Sequence, residues 1–180
     1  FISLLAQVDG GHAIEVGMVG REGMLGIQLA LGVTTEPFRA LVQGPGRALR
    51  LSATVFRREF CADPALRSTI DRYIYVLFAQ NARAAACLRF HRIEQRLARW
   101  LLMSHDRAGG DQFRVTHEFL AYMLGVRRVG VTVAAGAFQR RNLIAYERGE
   151  MRIVDRAGLE HATCRCYARD RAAYAEQFDE

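Results

Sequence analysis

Arg128, Val129, Thr132 and Val133 fall at spacings that gather them on one flank of a helix, with Arg127 just ahead of them. These residue types suit the floor of the DNA major groove. A guanidinium fork at Arg128 matches the two acceptors on a guanine edge, a bidentate contact that discriminates by about 1–3 kcal/mol. Val129 and Val133 offer methyl groups to thymine methyls. Thr116, Arg127 and Thr132 are candidate phosphate contacts, with Arg148 further along. From Arg127 through Gly136 to Arg140 the outward positions carry no acid, where a merely solvated helix mixes signs.

The elements that must hold these residues can be read on either side. His117 to Leu124 forms one short helix, Gly125-Val126 a turn, and a second helix opens at Arg127-Arg128 and runs to Asn142. Ala121 is small where the helices approach, Gly125 supplies a turn that needs φ > 0, and Val131 can plug the angle between them. Thr116 caps the first helix. Leu143 to Tyr146, Glu147 to Glu150 and Met151 to Val154 read as strand, turn and strand, the wing of a winged helix-turn-helix. An ordinary corner between two core helices would share the glycine turn, but it explains neither the wing nor the acid-free face.

Composition narrows the other options. The chain has 180 residues, 51% of them hydrophobic, and a net charge of +6 carried entirely by arginine. No apolar run reaches the length of a membrane span, and the opening Phe1 to Ala6 reads as a strand entered midway, so a cytoplasmic protein is expected. His12, His91, His105, His117 and His161 are scattered, and Cys61, Cys87, Cys164 and Cys166 form no CxxC pair. Cys164 and Cys166, two apart on a supposed helix, should point to different sides. Reduced thiols are therefore expected over metal ligation and no metal ligands are assigned, with an iron–sulfur or redox sensor completed by residues ahead of Phe1 as the alternative. Ser104-His105-Asp106 are consecutive and cannot form a relay, and no phosphate-binding loop or nucleophile elbow occurs, so no catalytic residue is assigned.

Upstream, glycine-punctuated segments read as strands at Ile2–Val8, Ala13–Val19, Arg39–Gln43 and Ala48–Leu51. A short helix from Ser52 stops near Asp63-Pro64, and a long one runs from about Ala65 to Leu88. Leu66, Ile70, Tyr73, Leu77, Gln80 and Ala84 recur at heptad spacing and are the expected dimer seam, with Ile74, Phe78, Ala85 and Leu88 turned to the strand domain. Ile93 to His105 is another amphipathic helix, and a final helix follows Asp155. The expected divisions are a strand domain at 1–63 with further strands ahead of it, a dimer helix and hinge at 64–90, a winged helix at 91–168, and a frayed charged tail at 169–180.

This order of elements, with Ile93-Glu94-Gln95-Arg96-Leu97-Ala98-Arg99-Trp100-Leu101-Leu102 opening the reading domain, resembles the Crp/Fnr superfamily of bacterial transcription regulators. The resemblance implies an α+β chain: a partial jelly-roll sensor with a cyclic-nucleotide-binding-like fold, a dimerisation helix and a C-terminal winged helix-turn-helix. It further implies a homodimer on a palindromic operator, with RNA polymerase as a partner. Glu22-Gly23-Met24-Leu25-Gly26-Ile27 and Phe38-Arg39-Ala40 match the family's phosphate cassette, making Gly23, Met24, Gly26, Arg39 and Ala40 the candidate effector residues. Met24 replaces the carboxylate that grips a ribose, a loss of about 1.5–3 kcal/mol. Ala40 replaces a hydroxyl, so cyclic AMP is not expected to bind in the usual way, and the effector is left open. Arg128 matches the family's guanine-reading Arg, whereas Val129 and Val133 replace its Glu and second Arg, so the preferred site should differ. The competing reading is a cyclic-nucleotide signalling module whose winged helix binds protein.

Overall fold

The computed structural model describes residues 1–11 and 13–178, so His12 and the last two residues of the charged tail lie outside it. The chain is mixed α and β, with seven helices and two small antiparallel sheets of three strands among the described residues. β1 (Ile2–Gln7), β2 (Ala13–Val19) and β3 (Arg39–Val42) pair in the order β2-β1-β3. Leu5 faces Glu15 on one side and Arg39 on the other. Ala48–Leu51 is not a strand: it is irregular, and Leu49 is fully exposed, with no sheet face to bury it.

α1 (Ala53–Ala62) starts under the Ser52 hydroxyl, which accepts from the Val55 N–H. Asp63 then caps α2 (Pro64–Phe90), accepting from the Ala65 and Leu66 N–H groups at 2.8 and 3.2 Å, and Pro64 fits the first turn because it needs no donor there. Part of the face of α2 expected to form the dimer seam is turned inward. Ile70 and Tyr73 are 7% and 4% exposed; Ile70 packs on Phe56 and Phe60, with Leu66 beside it. Leu77, Gln80 and Ala84 are half-buried. The exposed row is Tyr75, Phe78, Ala82, Ala85 and Arg89, and Phe78, though turned to the strand domain at the rim of a cavity, is mostly in solvent. Helical spacing alone marks two apolar rows on α2, and only the tertiary packing decides which one the chain covers.

α3 (Ile93–Ala108) is the hub: Leu97, Ala98, Leu101 and Leu102 are fully buried. They share one core with Leu5, Ala13 and Met18 of the sheet and with the helices that follow, so the strand domain and the C-terminal domain pack together. Beyond it come β4 (Gln112–Arg114), α4 (His117–Leu124), α5 (Arg128–Arg140), β5 (Ile144–Glu147) and β6 (Glu150–Ile153), with β6 central in the second sheet.

The C-terminus departs from expectation. α6 (Arg156–Ala162) stops at Thr163, and α7 (Arg165–Phe178) is a separate helix, not a frayed tail. Its charged composition hides a stripe at Tyr167, Asp170 and Ala173 that is buried against α2 and α3. The break also corrects the expectation for the thiols. Cys164 lies ahead of α7, so it does not share a helix with Cys166, and both sulfurs turn toward Cys87. Among the described residues, no single helix is long and apolar enough to cross a membrane.

Candidate nucleic-acid interface

The chain bends by 113° between α4 and α5, within the range of a helix-turn-helix. Gly125 makes the turn at φ 60°, ψ 44°, its N–H capping α4. A side chain there would meet Ile14 of β2 at 2.8 Å, so the turn needs glycine for space as well as for conformation. Val131, Ala135 and Phe138 are fully buried beneath α5, with Leu120 and Met123 opposite on α4. Burying each large apolar side chain contributes about 1.5–3 kcal/mol, enough to hold two helices too short to stand alone.

That burial leaves the other side of α5 in solvent. Arg128, Val129, Thr132, Val133 and Arg140 are exposed, and the two valines are 66% and 65% accessible. Two large apolar side chains facing water on one short helix cost solvation unless something covers them. Arg127, the residue ahead of α5, places no side chain over the first-turn N–H groups, which suits an anion there. Neighbouring arginines are engaged: Arg114 by Glu150, Arg141 by Glu94 and Arg148 by Glu147. No acid pairs with Arg127, Arg128 or Arg140 among the described residues.

The wing closes on a two-residue turn, Arg148 and Gly149, with φ of 50° and 85°, the positive pair a tight hairpin demands. The Arg148 side chain is 91% exposed at the tip, and its 3.7 Å pair with Glu147 is too solvated to restrain it. Thr116 is exposed, and its hydroxyl oxygen accepts from the Phe119 N–H at 3.1 Å, leaving its proton free to donate.

Thr132 is placed differently from its expected role. Its hydroxyl donates to the Arg128 carbonyl at 3.1 Å and lies 3.1 Å from His117 Nδ1, so it has no proton left for a phosphate. His117 is the residue that sequence reasoning passed over. Its ring stacks on Tyr146 of the wing, with centroids 4.4 Å apart, while Nδ1 reaches Thr132. Gln139 Nε2 adds a bond to the Tyr146 carbonyl at 3.2 Å. One imidazole thus joins α4, α5 and β5. Burial, and then the Arg128 charge, hold its pKa below the usual value. The only sequence signal was a histidine at the first position after the Thr116 cap.

The candidate effector residues only partly converge. A cavity of about 240 Å³ lies between the first sheet, the 24–38 segment and α2. Met24, Gly26, Ile27, Phe38 and Leu77 help to line it. Gly23 lies just beneath the Tyr73 hydroxyl, which accepts from the Met24 N–H at 3.3 Å. Arg39 and Ala40 are exposed at the start of β3, outside the lining, so the cassette's expected cation does not reach the cavity. Ser104 is buried apart, His105 meets Asp111 and Arg156, and Asp106 meets Arg156 and Tyr167, so the three side chains form no relay with one another.

Residues 95–162 match the model of the Crp-like helix-turn-helix domain. Over 89% of its length the chain shares the fold of Crp/Fnr-family transcriptional regulators. It is similar to a CRP-family transcriptional regulator from Thermus thermophilus, at 20% identity and a TM-score of 0.71, over 89% of this chain and 82% of that one. A second regulator from the same organism, of the CRP/FNR family, matches at 21% identity and 0.65 over the same shares. FixK2 from Bradyrhizobium japonicum matches at 12% identity and 0.62, over 91% and 83%. No curated protein matches the sequence.

Proposed function

We propose that this protein is a sequence-specific transcription regulator that binds operator DNA as a homodimer in the cytoplasm and acts through contact with RNA polymerase. The observation that carries the reading is the outward face of α5. Arg128 is exposed and unpaired by any described acid, Val129 and Val133 are bare, and an uncapped helix start and a wing-tip arginine flank them. Arg128 reads a guanine edge. Val129 and Val133 read thymine methyls, and Arg127, Thr116 and Arg148 position the phosphates. Thr132 holds α4 on α5. The paired reader forms through the exposed row Tyr75, Phe78, Ala82, Ala85 and Arg89 of α2, which keeps heptad spacing.

The sensor cavity suits an apolar effector better than a cyclic nucleotide, because its lining is mainly apolar and Arg39 stands outside it. Selection from randomised duplexes, followed by gel-shift titration at two salt concentrations, tests the function. A two-fold symmetric site should be enriched, with affinity falling steeply as salt rises. Arg128→Ala should relax preference at one position in each half-site. Enrichment of no sequence would sink the proposal, and a uniform loss from Arg128→Ala would move that residue to the phosphates.

A further inference from the structure

Away from the reading face, four side chains from separated parts of the chain converge at the hinge. Cys87 and His91 lie one turn apart at the end of α2, Cys164 sits in the break before α7, and Cys166 is in its first turn. Their ligand atoms all fall within 4.8 Å of one another. Cys87 Sγ is 3.6 Å from Cys164 Sγ, and Cys166 Sγ is 3.7 Å from His91 Nδ1. The three thiols are buried and His91 is half-buried.

The dimensions name the occupant. A tetrahedral zinc ion, with Zn–S about 2.3 Å and Zn–N about 2.0–2.1 Å, separates its sulfurs by roughly 3.8 Å and sulfur from nitrogen by roughly 3.6 Å. Both measured separations fit those edges. An iron–sulfur cluster spreads its thiolates over several irons around a multi-atom core and needs a wider ring. Three sulfurs and an imidazole also form a soft donor set that prefers zinc to magnesium or calcium. The largely buried Arg99 side chain, which lines the same small cavity as Cys87, suits a negatively charged centre.

We propose that Cys87, His91, Cys164 and Cys166 bind one Zn²⁺ in a closed tetrahedral site that fastens the end of α2 to the start of α7. Four protein ligands leave no open position, so the ion is structural, not catalytic. It fixes the angle at which the long helix enters the C-terminal domain.

The full chain, purified without a metal-binding tag and under reducing conditions, should contain one zinc per protomer by elemental analysis. Cobalt substitution should give the intense visible bands of a tetrahedral thiolate site. Cys164→Ser should lower zinc affinity by more than about tenfold, since losing a ligand costs at least as much as losing an outer-shell partner. Cys61→Ser, at an exposed position on α1, should retain the full equivalent. His91→Cys keeps four ligands, so it should still bind cobalt, with a spectrum shifted by the added thiolate. The proposal is overturned by a chain that takes up no zinc under reductant, or by undiminished binding in Cys164→Ser. Iron with acid-labile sulfide, or a spectrum unchanged in His91→Cys, would also overturn it. Metal content is read without DNA, so the result is independent of the operator experiment.

Discussion

Asp170 on α7 accepts from Arg99 Nη2 at 2.6 Å and from Arg83 Nε at 2.7 Å, so one buried carboxylate binds α3 and α2 together. The carboxylate is 4% exposed, and the Arg99 side chain only 13%. The geometry places charge where desolvation is costly, and its removal leaves two cations facing each other. Asp170→Asn should therefore cost on the order of 3 kcal/mol in urea unfolding, the range for breaking a buried pair from one side. A loss below about 1 kcal/mol would show that the pair is solvated and the helix docks by packing alone.

The two rows of α2 make opposite predictions. Phe78→Glu, at a side chain 73% exposed, should leave the melting temperature near that of the parent and shift sedimentation from dimer to monomer. Ile70→Glu buries a charge beside Phe56 and Phe60 and should unfold the chain without any folded monomer stage. If Phe78→Glu stays dimeric, the exposed row is not the seam.

His117 makes the helix-turn-helix domain sensitive to acid. Its pKa is lowered from the ordinary 6.5 by burial and by Arg128, so below about pH 6.5 the unfolded chain takes up a proton that the folded chain resists. Stability should fall as pH drops through that value. His117→Gln should flatten the dependence, and an unchanged profile would show that the ring is free to charge in place.

Glu15 acts in the other direction. Desolvation, only partly offset by the Ser3 hydroxyl at 2.5 Å, pushes its carboxyl up from 4.5 to about 7. Between those values the folded chain holds a proton that the unfolded chain has released, so stability should decline as pH rises from about 4.5 to about 7. Glu15→Gln should remove that decline and make the protein more stable than the parent at pH 8. A variant less stable than the parent at pH 8 would mean that the carboxylate is charged and paired in the fold.

The winged helix-turn-helix was legible because each part carries a local signature. Thr116 caps, Gly125 turns, Val131 plugs, and Arg148-Gly149 closes the wing, all on one short stretch of chain. What stayed hidden depends on long-range packing. Nothing near Asp170 announces that Arg83 and Arg99 await it, and Cys87 and Cys164 are 77 positions apart. Spacing showed that α2 has two apolar rows, but not which of them Phe56 and Phe60 would cover. The role of Thr132 turned on a histidine fifteen residues earlier, a contact fixed by the interhelical angle.

Under the proposed function, the bare valines of α5 bear on epigenetics as well as on sequence. A methyl-reading side chain recognises the group at C5 of a pyrimidine and is indifferent to the base that carries it. Thymine and 5-methylcytosine present the same group, so an operator with methylated cytosine opposite Val129 or Val133 should bind like its thymine counterpart, and uracil there should bind like plain cytosine. A reader built this way would respond to the modification state of its genome with no additional domain.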